Sequence, residues 1–435
     1  MTHESRPPDA AILDRFAQIV GPGHALRDPA DIEPHLVELR GLWHGRTSLV
    51  LKPGSVQEVS EILKLATATG TAIVPQGGNT GLVGAQVPDE SGREVIVSLT
   101  RLDRIRALDP EGNTVIAEAG VILKSLQEEA ERRGRLFPLS LASEGSCRIG
   151  GNLSSNAGGT AVLAYGNTRD LCLGLEVVMP TGEVLNDLRL LRKDNTGYDL
   201  KDLFIGAEGT LGIITAASLK LYPLPKGKAV AYAGLQGPQA ALELFGIARE
   251  HGGPSLTGFE LLPRIGVEFT VRHMPGVRDP LASPHAWYVL LDISSSRSGE
   301  DARAMIEAIL TEGLERGLVD DAVISESIAQ EKAFWHLRES MSESQRYEGG
   351  SIKHDISVPV ASVPAFMDRA GAAVLSMIPG ARICAFGHMG DGNLHYNISQ
   401  PLGADKDAFL ARWHEVNDVV HTIVRDFGGS ISAEH

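Results

Sequence analysis

The sequence predicts an α+β chain of two domains, and three observations predict it. The first half alternates short apolar runs with three glycine-rich stretches, a pattern of strands joined by loops rather than of a helical bundle. The proline-bracketed YPLPKGK at 222–228 is the clearest boundary in the chain. Beyond it, strand patterns such as AWYVLLDIS alternate with helix patterns such as EDARAMIEAIL, and FGHMGDGNLHYN (386–397) has the form of an antiparallel hairpin. The boundary places one domain at 1–225 and the other at 226–435. A chain of 435 residues can give each its own core.

The elements follow in order. Residues 9–20 form a helical lead-in. SVQEVSEILKLATATG (55–70) is a second, clearer helix, because Val56, Val59, Ile62, Leu63 and Ala66 make one apolar stripe. TAIVPQ reads as a strand and runs into the loop GGNTGLVGAQVP. VIVSLTRLDRI and NTVIAEAGVIL read as strands, and SLQEEAERRG as a helix closed by Gly134. SEGSCRIGGNLSSNAGGTAVLAYGNTRD (143–170) is too long and too rich in small residues for a core helix. LCLGLEVVMPTGEVL gives two strands about a Thr-Gly turn, and FIGAEGTLGIITAASLKLYPLP closes the domain. In the second half EKAFWHLRESMSES reads as one helix, KHDISVPV as a strand, and DAFLARWHEVNDVVHTIVRDFG as the last helix.

Composition narrows the function classes. A formal charge of −15 argues against nucleic acid or an anionic membrane surface as the main partner. Three scattered cysteines exclude a disulfide scaffold and a thiolate zinc site. The start has neither a basic nor an apolar signal region, and no apolar run is long enough for a transmembrane segment. The location expected from these features is cytoplasmic.

The hairpin raises the first chemical question. With Asp391-Gly392 as the two central turn residues, Gly390 pairs with Asn393, Met389 with Leu394, and His388 with His395. Opposed residues on one face sit with Cβ atoms roughly 4.5–5.5 Å apart, close enough for two imidazoles to meet on one ion. Asn397 shares the face of His395. On spacing alone two readings stand: a metal-holding pair, and a polar hairpin with two solvated histidines.

The glycine loops raise the second. Neither a G-x-G-x-x-G turn after a strand nor a G-x-x-x-x-G-K-[ST] loop is present. Three small-residue loops in one half-chain (77–84, 145–159 and 206–212) instead suit a large cofactor running across main-chain N–H groups. PQGGNTGLVG, SEGSCRIGGNLSSNAGG, YGNTRD and GAEGTLGIIT, in that order, resemble the FAD-binding domain of the vanillyl-alcohol oxidase/p-cresol methylhydroxylase type over nearly all of 40–225. The resemblance implies a two-subdomain FAD-binding fold followed by an α/β substrate (cap) domain with an antiparallel sheet. It implies FAD held by Gln76, Gly77, Gly78, Asn79, Thr80, Gly81 and Gly84, with the pyrophosphate on Gly77 to Gly81. Ser143, Glu144, Gly145, Gly150, Gly151, Asn152, Ser154, Asn156, Ala157, Gly158, Gly159 and Tyr165 would line the second stretch. Glu208, Gly209, Gly212 and Ile213 would line the third. Some relatives attach FAD through a histidine in the first loop; Gln76, Gly77, Gly78 and Asn79 stand here, so non-covalent FAD is expected.

RESMSESQRYEGGSIKHDISVPV, GHMGDGNLHYN and SAEH resemble the D-2-hydroxyacid dehydrogenase branch, nearest to its D-2-hydroxyglutarate members. That implies zinc or another divalent metal on His388, His395 and Glu434, with His435 as the catalytic base. It implies Arg338, Ser342 and Lys353 on the distal carboxylate of the substrate, and Asn397 on a substrate oxygen. Ser342 replaces a common threonine, and His354 stands where close relatives have an aromatic residue. The expected reaction is oxidation of a D-2-hydroxy acid to the 2-oxo acid by hydride transfer to flavin. The alternatives are a D-lactate dehydrogenase, a glycolate oxidase FAD subunit, and a non-catalytic electron-transfer subunit. The small-molecule acid is the expected partner, together with an electron acceptor left open between electron-transfer flavoprotein and quinone; a homodimer is compatible. Relatives continue past Ala-Glu-His, so a C-terminal tail is expected to be truncated here.

Overall fold

The computed structural model describes residues 8–434. The chain divides into two compact units: residues up to 159 with 166–224, and residues 160–165 with 225–434. The short stretch 160–165, with the helix Val162–Tyr165, therefore joins the second unit although it interrupts the first.

In the first unit, Ala25–Leu26, Val50–Leu51, Glu94–Ser98 and Ala72–Gln76 lie side by side in one sheet, parallel across the last two junctions. The helix Val56–Thr69 covers it. Its Ser55 hydroxyl accepts from the Glu58 N–H, and Gly70 at φ 67° ends it in the left-handed region. Val59, Ile62, Leu63 and Ala66 of the expected stripe pack on Leu49, Val95 and Val97. A second sheet of five antiparallel strands runs Ile105–Asp109, Thr114–Glu118, Ile213–Lys220, Cys172–Val178, Val184–Asp187. VIVSLTRLDRI is thus not one strand. A 3-10 turn at Leu99–Arg101 breaks it, sending Glu94–Ser98 to one sheet and Ile105–Asp109 to the other.

The second unit is built on one antiparallel sheet. Asp321–Ile324, Gly227–Leu235, Trp287–Ser295, Leu256–Pro263, Arg382–His388, Asn393–Ser399 and Ser351–Ile352 follow in that spatial order, and Asp355–Ser357 also pairs with Asn393–Ser399. Within KHDISVPV the strand is accordingly limited to Asp355–Ser357, and the last helix breaks into Lys406–Leu410 and Trp413–Asp426. Helices cover both faces, so the central strands are apolar on both. Along Gly227–Leu235, Ala229, Ala231 and Ala233 join one core with Leu244, Ile306 and Phe366, while Val230 and Tyr232 join another with Phe269, Phe334 and Leu337. On the hairpin, Leu394, Tyr396 and Ile398 enter the first core, which turns His388, His395 and Asn397 to the opposite face.

Candidate metal centre and flavin loops

The hairpin register differs from the expected one by two residues. His388 pairs with Asn393, Phe386 with His395 and Cys384 with Asn397. Gly392 has φ 82°, but Asp391 is not among the positive-φ residues, so the two-residue primed turn does not form. A four-residue loop takes its place, closed by Gly392 N–H to the His388 carbonyl and by Asn393 N–H to Asp391 Oδ1. A two-residue slip leaves every side chain on its original face, where a one-residue slip would reverse them all. His388 and His395 therefore still face one another diagonally, ring centroids 5.6 Å apart.

Glu434 completes the cluster. His388 Nε2 lies 3.3 Å from Glu434 Oε1 and His395 Nε2 lies 3.9 Å from Oε2. Candidate ligand atoms of the three residues all fall within 4.8 Å of one another. The main chain holds Glu434 there: its N–H donates to Asp355 Oδ2, Ala433 N–H donates to the Asp355 carbonyl, and Ser430 bridges to Ser357. Both imidazoles are backed on their other nitrogen. His388 Nδ1 is 2.7 Å from Glu260 Oε1, and His395 Nδ1 is 3.5 Å from Asp355 Oδ1. Burial pulls the His388 ring toward neutrality, but the Glu260 and Glu434 carboxylates outweigh it and hold the ring well above its ordinary value. Burial pushes Glu434 up, and the two imidazoles outweigh that too, leaving it at about 2. Two imidazoles and a carboxylate, oriented from behind through Nδ1, are a donor set that fits a divalent ion with a coordination position to spare.

The residues expected at a distal carboxylate are placed differently from one another. Arg338 is no surface charge: it is 6% exposed, donates from Nε to Glu260 Oε2 at 2.7 Å, and lies over the Phe386 ring. The helix carrying it ends at Glu339, and a new turn starts at Met341. The single helix expected over EKAFWHLRESMSES is thus broken between Arg338 and Ser342, and Ser342 is exposed while Arg338 is buried. Lys353 Nζ donates to the Ser342 hydroxyl at 2.9 Å and to its carbonyl. Asn397 is buried on the hairpin face of His395. His435, expected as the base, lies outside the described residues.

Within the first unit the three glycine loops converge. A Cβ on Gly78 would stand 2.2 Å from the Ser146 carbonyl oxygen, and one on Gly77 would stand 3.7 Å from Gly151 Cα. Gly206 and Glu208 donate their N–H groups to the Leu153 and Ser154 carbonyls. Four described non-glycine residues have positive φ, and Asn79, Asn156 and Glu208, one from each loop, are three of them. Such strain concentrates where main chain is shaped for a ligand. Gly145 and Gly151 face open space, with nothing within 4 Å of an added Cβ. These features suit an extended anionic cofactor lying on backbone.

Several residues expected to line the cofactor have their side chains engaged elsewhere, which leaves their main chain for it. The Gln76 amide is spent on His35 and the Gln86 carbonyl, and the Asn79 amide on the Pro34 and Val37 carbonyls. Glu144 pairs with Lys124, and Ile213 is a core residue. Gly150 packs on Ala119, Gly209 on Pro75 and Gly212 on Val177, so their missing side chains serve internal packing. Tyr165 lies in the stretch that belongs to the second unit.

Sequence reasoning missed Glu260 and Asp355. A signal for Glu260 was available: in GFELLP a single carboxylate interrupts an apolar strand, and a charge so placed requires partners. Asp355 gave no comparable signal, because its strand is short and half-exposed.

The FAD binding domain family matches residues 47–187, and the FAD-linked oxidase C-terminal domain family matches 224–435. The chain is 37% identical to the mitochondrial D-2-hydroxyglutarate dehydrogenase of Arabidopsis thaliana, over 98% of this chain and 74% of that one. It is likewise 37% identical to the mitochondrial enzyme of that name from Danio rerio, over 97% and 76%. p-Cresol methylhydroxylase with substrate bound shares the fold at a TM-score of 0.74 and 16% identity, over 97% of this chain and 89% of that one. The cytoplasmic expectation is corrected by these relatives, both of which are named as mitochondrial; the lack of a secretory or membrane signature carried no information about an organelle. By the family matches along its length and by these relatives, the chain belongs to the FAD-linked oxidases, in the branch of the D-2-hydroxyacid dehydrogenases.

Proposed function

We propose that this chain oxidises a D-2-hydroxy dicarboxylic acid, D-2-hydroxyglutarate first among them, to the 2-oxo acid. FAD would lie on the three glycine loops without a covalent link, and a divalent ion would lie on His388, His395 and Glu434. The observation that carries the reading is the convergence of those three side chains, each histidine backed by a buried or half-buried carboxylate. Bound FAD supplies the two-electron acceptor for the C2 hydrogen. A divalent ion supplies a positive charge that favours the deprotonated hydroxyl.

The residues of the chain do the rest. Glu260 keeps Nε2 of His388 turned inward by accepting at Nδ1, and Asp355 Oδ1 stands 3.5 Å behind Nδ1 of His395. Asn397 offers an amide to a substrate oxygen from the same face. Arg338 offers a planar cation to the second carboxylate, with Nη2 buried and without a hydrogen-bond partner among the described residues. His435 takes the hydroxyl proton, a role carried by its place beside Glu434 in the sequence.

Anaerobic addition of D-2-hydroxyglutarate, D-malate, D-lactate and glycolate to metal-loaded holoprotein tests this. Loss of flavin absorbance at the lowest concentration with D-2-hydroxyglutarate, abolished by a chelator and restored by the metal, is the expected outcome. Equal or better bleaching by D-lactate removes the dicarboxylate assignment. Bleaching that a chelator leaves untouched removes the metal.

A further inference from the structure

We propose that Glu260 is a positioning residue that ties the arginine grip on the second carboxylate of the substrate to the metal centre. The inference rests on the metal-and-arginine reading of the preceding section and extends it to a residue that touches neither ligand.

Glu260 sits mid-strand in Leu256–Pro263, directly opposite His388 in the register. Its neighbours Phe259 and Leu261 enter one core, which turns Glu260 to the face carrying the histidines. It is 1% exposed, and its two oxygens are divided between two partners: Oε1 accepts from His388 Nδ1 and Oε2 from Arg338 Nε, each at 2.7 Å. One rigid carboxylate thus sets the His388 ring and the Arg338 guanidinium together.

The charge is costly where it lies. A buried ion pair at a sheet centre is often no more stable than apolar residues of equal volume, so stability alone does not account for it. Asp355 is different. It backs His395 at a longer 3.5 Å and also accepts from the Asn393 amide and from Glu434 N–H, duties that hold the strand and the 430–434 segment together. Among the described residues, the Glu260 side chain makes its hydrogen bonds to two candidate functional side chains.

Two consequences follow from that division. With Nδ1–H pinned to Glu260, Nε2 of His388 is the nitrogen kept facing Glu434, and it is the one that would give its lone pair to a bound ion. With Nε pinned, Arg338 presents Nη2 from a fixed plane stacked on Phe386. A disturbance of Arg338 therefore reaches the metal through one shared side chain, with no change in any ligand.

The test is a chelator competition for Zn2+ on flavin-loaded protein without substrate, run on wild type, E260Q, R338M and the pair E260Q/R338M. The expected result is metal affinity lower by about 10–100-fold in E260Q, at unchanged flavin content. R338M, which touches no ligand, is expected to lose about threefold or more, and the pair to lose no more than E260Q alone, since both act through one group. With metal saturating, E260Q is expected to raise KM for D-2-hydroxyglutarate about tenfold and leave that for D-lactate nearly unchanged. Wild-type metal affinity in E260Q overturns the proposal, and wild-type affinity in R338M overturns the coupling. If E260Q strands the Arg338 charge and does not fold, the pair carries no stranded charge, and wild-type affinity there overturns the proposal equally. A wild type that binds Zn2+ but prefers D-lactate sinks the substrate assignment, while the metal affinities still decide the role of Glu260.

Discussion

In the first unit the candidate site is made of main chain. Its polar side chains are largely spent on scaffold: the Gln76 and Asn79 amides brace the 34–37 turn, and Glu144 holds Lys124. What remains for a cofactor is N–H groups, left-handed residues and open glycines. In the second unit three side chains separated by up to 46 positions meet at one point, with a carboxylate behind each histidine: Glu260 hydrogen-bonded to His388, and Asp355 3.5 Å from His395. The first kind of site fails when a Cβ enters or a backbone angle is forbidden. The second fails when one donor atom is lost. That difference predicts which substitutions separate flavin binding from chemistry.

The largest expected effect is on the donor atoms. His388→Ala and Glu434→Ala each remove one of three candidate ligands, and a metal is worth several kcal/mol of charge stabilisation at the reacting oxygen. Flavin reduction by D-2-hydroxyglutarate is expected to slow by about a thousandfold or more, measured by anaerobic stopped flow. The first unit is untouched, so the ratio of flavin to protein absorbance should stay at the wild-type value. Loss of flavin together with rate would break the division between the two sites.

Acid should act on the second unit through a group outside the centre. His354 is 4% exposed and gives Nδ1 to the Tyr396 carbonyl. Burial, reinforced by the charge of nearby His421, holds its pKa down from 6.5 to about 4. The unfolded chain therefore takes up a proton that the folded one refuses. Stability conferred by this group is whole above 6.5 and is lost as pH falls toward 4, by at most roughly 3 kcal/mol. Denaturant titrations between pH 7 and 4 should show a shallower decline in His354→Phe than in wild type, and parallel curves would refute the assignment.

How much was legible beforehand differs between the units for the same physical reason. Glycine loops announce themselves, because positive φ and close approach restrict residue type locally: Gly78 against Ser146 and the strained Asn79 are readable as composition. What the loops do with their side chains was not readable. The fate of Gln76 depends on His35, 41 positions away. The metal set was legible only as a hairpin pair plus a resemblance, since Glu434 reaches the site through hydrogen bonds to Asp355 that no local pattern encodes. The register was misread because Asp391-Gly392 suits two turn types, and only the observed φ values decide between them. The face assignment survived, because alternation is insensitive to a slip of two. Arg338 was singled out for the distal carboxylate of a substrate, but its burial and its partner were not legible: a buried arginine needs a carboxylate, and Glu260 lies 78 positions away.

The finest effect compares two glycines of the first unit. A Cβ at Gly78 would collide with the Ser146 carbonyl at 2.2 Å, so Gly78→Ala must move one loop against another. It should destabilise the apoprotein by about 1–3 kcal/mol and lower flavin content with it. Gly151 differs on both counts. It lies inside the short helix Ile149–Ser154, its φ is not positive, and an added Cβ meets nothing within 4 Å. Alanine there costs the apoprotein nothing and favours the helix by roughly 0.5–1 kcal/mol. If that open space is where a cofactor lies, the same methyl intrudes on it. Gly151→Ala is then expected to melt no lower than wild type when stripped of flavin, yet to bind FAD about tenfold more weakly in a fluorescence-quenching titration, a penalty near the low end of the overpacking range. Wild-type FAD affinity in that variant would mean that the cofactor does not lie over Gly151, and the backbone site would have to be redrawn around the first and third loops alone.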